Sequence, residues 1–129
     1  VIASTDYKDG KWQAFRFDDL EAVIDMGKVQ KINSVSISFL ENNYSWIFLP
    51  EEVKIFVSRN GKKYEEVFSE CFAADPNSRE ARIVKVFADV KDINARYIKV
   101  QAKNIGNCPE WHSGAGKNGW LFIDEIIVR

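Results

Sequence analysis

Charge of one sign is what this sequence most lacks. Eighteen Lys and Arg stand against nineteen Asp and Glu along 129 residues, a formal net charge of −1. Neutralising a phosphate backbone takes clustered Lys and Arg, so a nucleic-acid partner is not expected. Cysteine is nearly as scarce. Cys71 and Cys108 make no disulfide framework, and the sequence leaves open one bridge or two buried free thiols. With His112 the single histidine, multi-histidine zinc sites are excluded, and a Ser-His-Asp triad would hang on one loop residue. No apolar run reaches the roughly 18 residues that mark a membrane span. Residues 1–5 lack the basic and apolar regions of a signal peptide, so an export signal is expected upstream of them. Internal repeats, low-complexity stretches, interdomain linkers and convincing helical periodicity are missing too; 65–74 has room for a turn or two of helix, but its apolar spacing is irregular.

What is present is a chain with 46% hydrophobic and 29% charged residues, the balance of a globular protein. Its length suits one domain spanning 1–129, and a domain of that size buries roughly two-thirds of its unfolded surface without needing a staple. The dominant period is two. Val35, Ile37 and Phe39 alternate with Ser34, Ser36 and Ser38, as a half-buried strand requires. Val53, Ile55 and Val57 repeat the pattern, as do Ile98, Val100 and Ala102, and 20–26 alternates up to Gly27. From Leu121 to Val128 both faces are mostly apolar, which predicts a central strand. Asn60-Gly61 predicts a tight hairpin, while Pro50, Asp75-Pro76-Asn77 and 106–119 mark loops. Short strands with almost no helix predict an all-β sandwich or jelly roll of about eight strands.

Two loops stand apart. One reads Asn42-Asn43-Tyr44-Ser45-Trp46-Ile47-Phe48; the other, 104–118, holds Cys108, Pro109, Trp111, His112, three Gly, three Asn and Lys117. Both mix large aromatics with amides, hydroxyls and glycine. That mixture suits a sugar, whose C–H face is apolar and whose rim carries hydroxyls, and loops at the end of a rigid sandwich commonly carry function.

Asp18-Asp19-Leu20-Glu21-Ala22-Val23-Ile24-Asp25-Met26-Gly27 resembles the opening strand of discoidin domains, also called coagulation factor V/VIII type C domains. Val57-Ser58-Arg59-Asn60-Gly61 is similar to their S-x-D-G hairpin, with Asn in place of Asp. Ala95-Arg96-Tyr97-Ile98-Lys99-Val100 and Glu125-Ile126-Ile127-Val128 resemble two later strands, in the right order. More narrowly, Ser45-Trp46-Ile47-Phe48-Leu49-Pro50 and Cys108-Pro109-Glu110-Trp111-His112-Ser113-Gly114-Ala115-Gly116 resemble the C-terminal domain of bacterial family 20 β-N-acetylhexosaminidases, or chitobiases. The resemblance implies a galactose-binding-like jelly roll of the carbohydrate-binding module family 32 type, in which a structural calcium is common. The L-x-D-G segment that opens the family pattern would precede Val1.

Several expectations follow. Asp124-Glu125 is tempting as a family 20 catalytic pair, but the flanking Phe122-Ile123 and Ile126-Ile127 lack that family's His and Gly. Strand alternation would also send the two carboxylates to opposite faces, whereas retaining carboxylates sit about 5 Å apart on one site. No catalytic residue is therefore assigned. Tyr44, Trp46, Trp111, His112 and Asn118 are the expected carbohydrate-binding residues, with His112 read either as a donor to a sugar hydroxyl or as an ordinary loop histidine. Trp46 could equally plug the core. Trp12 and Trp120 are expected there, and Lys62-Lys63 at a solvated tip. Calcium prefers six to eight oxygens. Ser4, Thr5, Asp6, Asp9 and Gly10 form an oxygen-rich loop, and the family pattern pairs Thr5, Asp6 and Asp9 with Glu125. The implied role is a non-catalytic module of a secreted, periplasmic or cell-surface bacterial hydrolase, holding the catalytic domain of the same polypeptide near glycans ending in N-acetylhexosamine or galactose. A purely structural accessory domain and a binder of protein or phospholipid are the alternatives.

Overall fold

A computed structural model describes residues 12–129. Its strands are β1 (Gln13–Phe15), β2 (Leu20–Glu41), β3 (Glu52–Ser58), β4 (Glu65–Cys71), β5 (Arg82–Lys103) and β6 (Leu121–Val128). Every pairing between them is antiparallel, in the ladder order β1-β6-β2-β5-β3-β4. Among the described residues the one helical element is a 3-10 turn at Asn43–Ser45.

Strands β2 and β5 have 22 residues each. Drawn straight, either would be about 70 Å long, far beyond the roughly 35–40 Å breadth of a compact domain of this size. They bend instead. The β2–β5 register shifts between Asp25 and Gln30 and again between Ile32 and Ser34. Gly27 sits at φ 87°, and Lys91 and Asp92 adopt left-handed φ values of 56° and 58° on the opposite strand. Asp25 Oδ1 accepts the Gly27 N–H at 2.9 Å and Asp89 Oδ1 accepts the Lys91 N–H at 2.9 Å, which fixes both turns of the corner.

The bent pair therefore contributes to two layers. Its 34–41 and 82–89 halves join β6 and β1, and its 20–25 and 95–102 halves join β3 and β4. The continuous core lies between the layers, with Val35, Phe39, Ile55, Val100 and Leu121 all buried in it. This is the all-β jelly-roll sandwich that period-two alternation predicts, and the eight expected strands correspond to six continuous ones of which two are folded in half.

Local differences have physical causes. Residues 65–71 form a strand, not a helical turn: the register slips between Ile55 and Phe56, so Val67 and Phe68 both pack on the core and the apolar spacing looks irregular. The β3–β4 connection is longer than a two-residue hairpin and is held by side chains. Asn60 Oδ1 accepts the Lys62 and Lys63 N–H groups, while Ser58 Oγ accepts that of Gly61, where φ is 77°. Both cysteines are free, but Cys71 is exposed and only Cys108 is buried. The Cys71 thiol is pushed up by its hydrogen bond to the Glu52 carboxylate, and that of Cys108 by burial.

Candidate functional site

The bend sends the connections 42–51, 72–81 and 104–120 to one end of the sandwich, while the 59–64 turn, the corner and Arg129 lie at the other. At the first end a cleft of about 250 Å³ is lined by Asn43, Tyr44, Pro76, Ser78, Arg79, Trp111, His112 and Ser113. Tyr44 is 81% exposed and Trp111 43%. The loop 72–81, read from sequence as a plain connection, supplies the third wall.

These loops are fastened to one another. Asn42 caps the 3-10 turn, its Oδ1 accepting from the Ser45 N–H at 3.3 Å. Trp46 then takes a left-handed φ of 62°, reversing the chain so that Ile47 bridges to Trp120. Asn43 is the hub. Its Nδ2 donates to the carbonyls of Asp75 and Ser78, both at 2.9 Å, and its own carbonyl accepts from His112 Nε2 at 2.6 Å. Its Oδ1 is buried and has no hydrogen-bond partner among the described residues.

The His112 tautomer follows. Nδ1 accepts the Gly114 N–H at 2.9 Å, so the proton is on Nε2 and both ring nitrogens are engaged within the protein. His112 therefore has no spare nitrogen for a sugar hydroxyl in this geometry, which revises the donor role expected of it. Its ring makes edge contacts with Trp46, Phe48 and Trp111 at centroid distances of 5.8, 5.2 and 5.9 Å, so it props the Trp111 indole from beneath. Trp46 is half-buried against Gly114 and does not line the cleft. Asn118 does not line it either: it bridges to Asn107 at the neck of the long loop, beside the Cys108 N–H to Lys117 carbonyl bond. Of the expected residues the cleft thus brings together Tyr44, Trp111 and His112, the last with both ring nitrogens already engaged.

Two positioning residues escaped the sequence. Asn104, 5% exposed, donates through Nδ2 to the Phe15 carbonyl at 3.0 Å and accepts the Gly106 N–H on Oδ1, while Asp19 Oδ1 caps its backbone N–H at 2.8 Å. Glu41, 1% exposed at the end of β2, accepts from Arg82 Nε and Ser78 Oγ, both at 2.7 Å, anchoring the third wall. That hydrogen bond raises the Arg82 pKa above its ordinary value.

Among the described residues no carboxylate lines the cleft, so no described pair of acid groups for glycosidic cleavage converges on it. Asp124 and Glu125 lie on β6, where the register with β2 slips by one residue between Ile123 and Ile126. Of the two, Asp124 is half-buried and Glu125 exposed. Of the expected calcium ligands, Thr5, Asp6 and Asp9 lie outside the described residues, and Glu125 is exposed on β6. Among the described residues no three His, Cys, Asp or Glu side chains gather to hold a metal.

A two-layer antiparallel jelly roll with loops gathered at one end is a frame for a binding module. The chain belongs to the F5/8 type C domain family, whose profile matches residues 2–126. It is similar in fold to the C-terminal domain of a chitobiase from Bacteroides fragilis, at 22% identity and a TM-score of 0.54, over 96% of this chain and 75% of that one. It is similar also to the first family 32 carbohydrate-binding module of a family 31 glycoside hydrolase from Clostridium perfringens, at 22% identity and TM-score 0.52, over 94% and 78% of the two chains. A pectin-binding module aligns at 18% identity and TM-score 0.54, over 94% and 75%. No curated protein matches the chain.

Proposed function

We propose that this chain is a non-catalytic carbohydrate-binding module whose site is the cleft between Tyr44 and Trp111. The observation that carries the reading is the pair of exposed aromatics facing one cleft on three mutually fastened loops. An indole and a phenol offer flat apolar faces to a sugar ring, and Ser78, Arg79 and Ser113 stand at the walls for its hydroxyls. His112 and Trp46 hold the platform. Terminal N-acetylhexosamine or galactose is the proposed ligand, and the parent is a secreted bacterial glycoside hydrolase of the chitobiase kind; similarity to the Bacteroides chitobiase domain supports this assignment. Tethering to glycan would raise the local substrate concentration seen by the catalytic domain of the same polypeptide.

The test is titration of the isolated domain with N-acetylglucosamine, N-acetylgalactosamine and galactose, read by calorimetry. Stacking contributes on the order of 1 kcal/mol beyond area burial, and single-site binding is weak because hydroxyl contacts largely exchange with water. Trp111→Ala should therefore remove detectable binding and leave the melting temperature within a few degrees. Normal binding by Trp111→Ala would move the site elsewhere. No binding by the wild type to any glycan would favour the accessory-domain reading. That second reading has its own support: Ile83 and Phe87, 38% and 59% exposed, share the outer face of β5 outside the loop end.

A further inference from the structure

The end opposite the aromatic cleft holds a larger cavity, about 530 Å³, between the β3–β4 turn and the β2–β5 corner. Val57, Tyr64 and Ile93 give it an apolar floor, and Arg59, Lys63 and Asn94 stand among its walls. Among the described residues neither Arg59 nor Lys63 has an ionic partner. Lys99 adds a third positive charge behind the wall, its Nζ 4.2 Å from the centroid of the Tyr64 ring. The corner also carries Lys28, Lys31 and Lys91 against Asp89 and Asp92, whereas Asp25 is neutralised by Arg96. A net-positive end on a chain of formal charge −1 is a local concentration of charge, not a property of the whole surface.

The backbone beneath these cations is pinned. Ser58 Oγ accepts the N–H groups of Asn60 and Gly61 and donates to Asn60 Oδ1, which in turn receives Lys62 and Lys63 N–H. Gly61 is pressed so closely on Tyr97 that a Cβ would lie 3.1 Å from its ring. Arg59 and Lys63 therefore leave a fixed turn on either side of Asn60, which lowers the ordering cost of closing both on one anion.

We infer that this cavity is a second binding site, selective for an acidic saccharide whose carboxylate is held between Arg59 and Lys63. A guanidinium pairs with a planar carboxylate through two parallel hydrogen bonds, and the ammonium adds a second charge-assisted bond. Val57, Ile93 and Tyr64 suit the C–H face of the ring, while Asn94, Ser58 and Glu65 offer donors and acceptors for its hydroxyls. Glu65 also sets the charge class: its carboxylate on the wall repels a dianionic phosphate more than a monoanionic uronate. The site is independent of the Tyr44–Trp111 cleft and stands or falls without it.

The test is nitrogen-15 chemical-shift titration of the 129-residue chain with a trimer of galacturonic acid, its fully methyl-esterified form, and inorganic phosphate. The free trimer should move the amide signals of Arg59, Asn60, Lys63 and Asn94 saturably, and esterification should weaken this at least tenfold. Arg59→Gln and Lys63→Gln, made singly and together, should each weaken it severalfold without lowering the melting temperature or altering neutral-sugar binding at the other end. Equal affinity for the ester overturns the inference, as does an equal response to phosphate. So do shifts confined to Trp111 and Ser113, or no saturable shift up to about 10 mM, beyond the millimolar range of weak specific binding.

Discussion

Gly114 has no side chain where one would collide with Trp46: a Cβ there would lie 2.8 Å from the indole. The same N–H that Gly114 gives to His112 Nδ1 depends on that close approach. Gly114→Ala should therefore push the long loop off Trp46, release His112 and tilt Trp111, at a cost of about 1–3 kcal/mol, as overpacking usually brings. A thermal melt should show the loss of stability, and sugar titration should show weaker binding although no cleft-lining residue has changed. Unaltered binding would mean that Trp111 does not rely on His112. Glu41 invites a second substitution. Its carboxylate is buried, so removing Arg82 strands a charge that, among the described residues, Ser78 Oγ alone then satisfies. Breaking a buried pair costs about 3–5 kcal/mol; because the Arg82 side chain is 52% exposed, Arg82→Ala should cost less, on the order of 2 kcal/mol. Arg82→Met that melts at the wild-type temperature would show that the pair contributes nothing.

Among the elements, the β2–β5 corner is where sequence and structure diverge most. The Val35-Ile37-Phe39 and Ile98-Val100-Ala102 alternations are visible in the chain because each side chain's face depends on its own strand. The union of 20–26 and 32–41 into one bent strand was not visible, because a register shift is a property of two strands whose partners lie 41 (Glu41 and Arg82) to 82 (Leu20 and Ala102) residues apart. Bulges hid the rest: Val67 and Phe68 both turn to the core, and Asp124-Glu125 sits at a slip. In the cleft, the aromatics Tyr44 and Trp111 were legible from composition. The fastening roles of Asn43, Glu41 and Asn104 were not, since their partners lie 32 to 89 residues away. The corner also has its own pH signature. Asp25 is held below its ordinary pKa of 3.8, first by its hydrogen bonds from Arg96 and then by the Gly27 N–H. A lowered folded-state pKa means the stabilisation is whole above about pH 4 and is lost as pH falls through the depressed value. Melting curves from pH 5 to 2 should fall less steeply for Asp25→Asn than for wild type, with the difference between them shrinking toward acid. Parallel curves would show that the pair does not couple to folding.

For the whole molecule, the open question with a thermodynamic answer is calcium, proposed to be held by Glu125 together with Thr5, Asp6 and Asp9. Thr5, Asp6 and Asp9 belong to the segment that precedes β1 in the sequence, and β1 pairs with β6 from Gln13 opposite Ile123 to Phe15 opposite Leu121. An ion bridging that segment to β6 would close the first part of the chain onto the sandwich. Such an ion would bind the native state alone, because the unfolded chain does not bring these oxygens together. At a free calcium concentration 100-fold above its dissociation constant the native state gains about 2.7 kcal/mol, worth roughly 10 °C in a domain of this size. Scanning calorimetry of the chain with calcium and with chelator should show that shift. Magnesium should give less, since it demands a smaller octahedral shell and sheds water reluctantly. Glu125→Gln and Asp9→Asn should each shrink the calcium-dependent shift, measured against the same variant's own melting temperature in chelator. A melting temperature indifferent to calcium, or a full shift retained in both variants, would remove these residues from any cation site and leave the sandwich standing on its core alone.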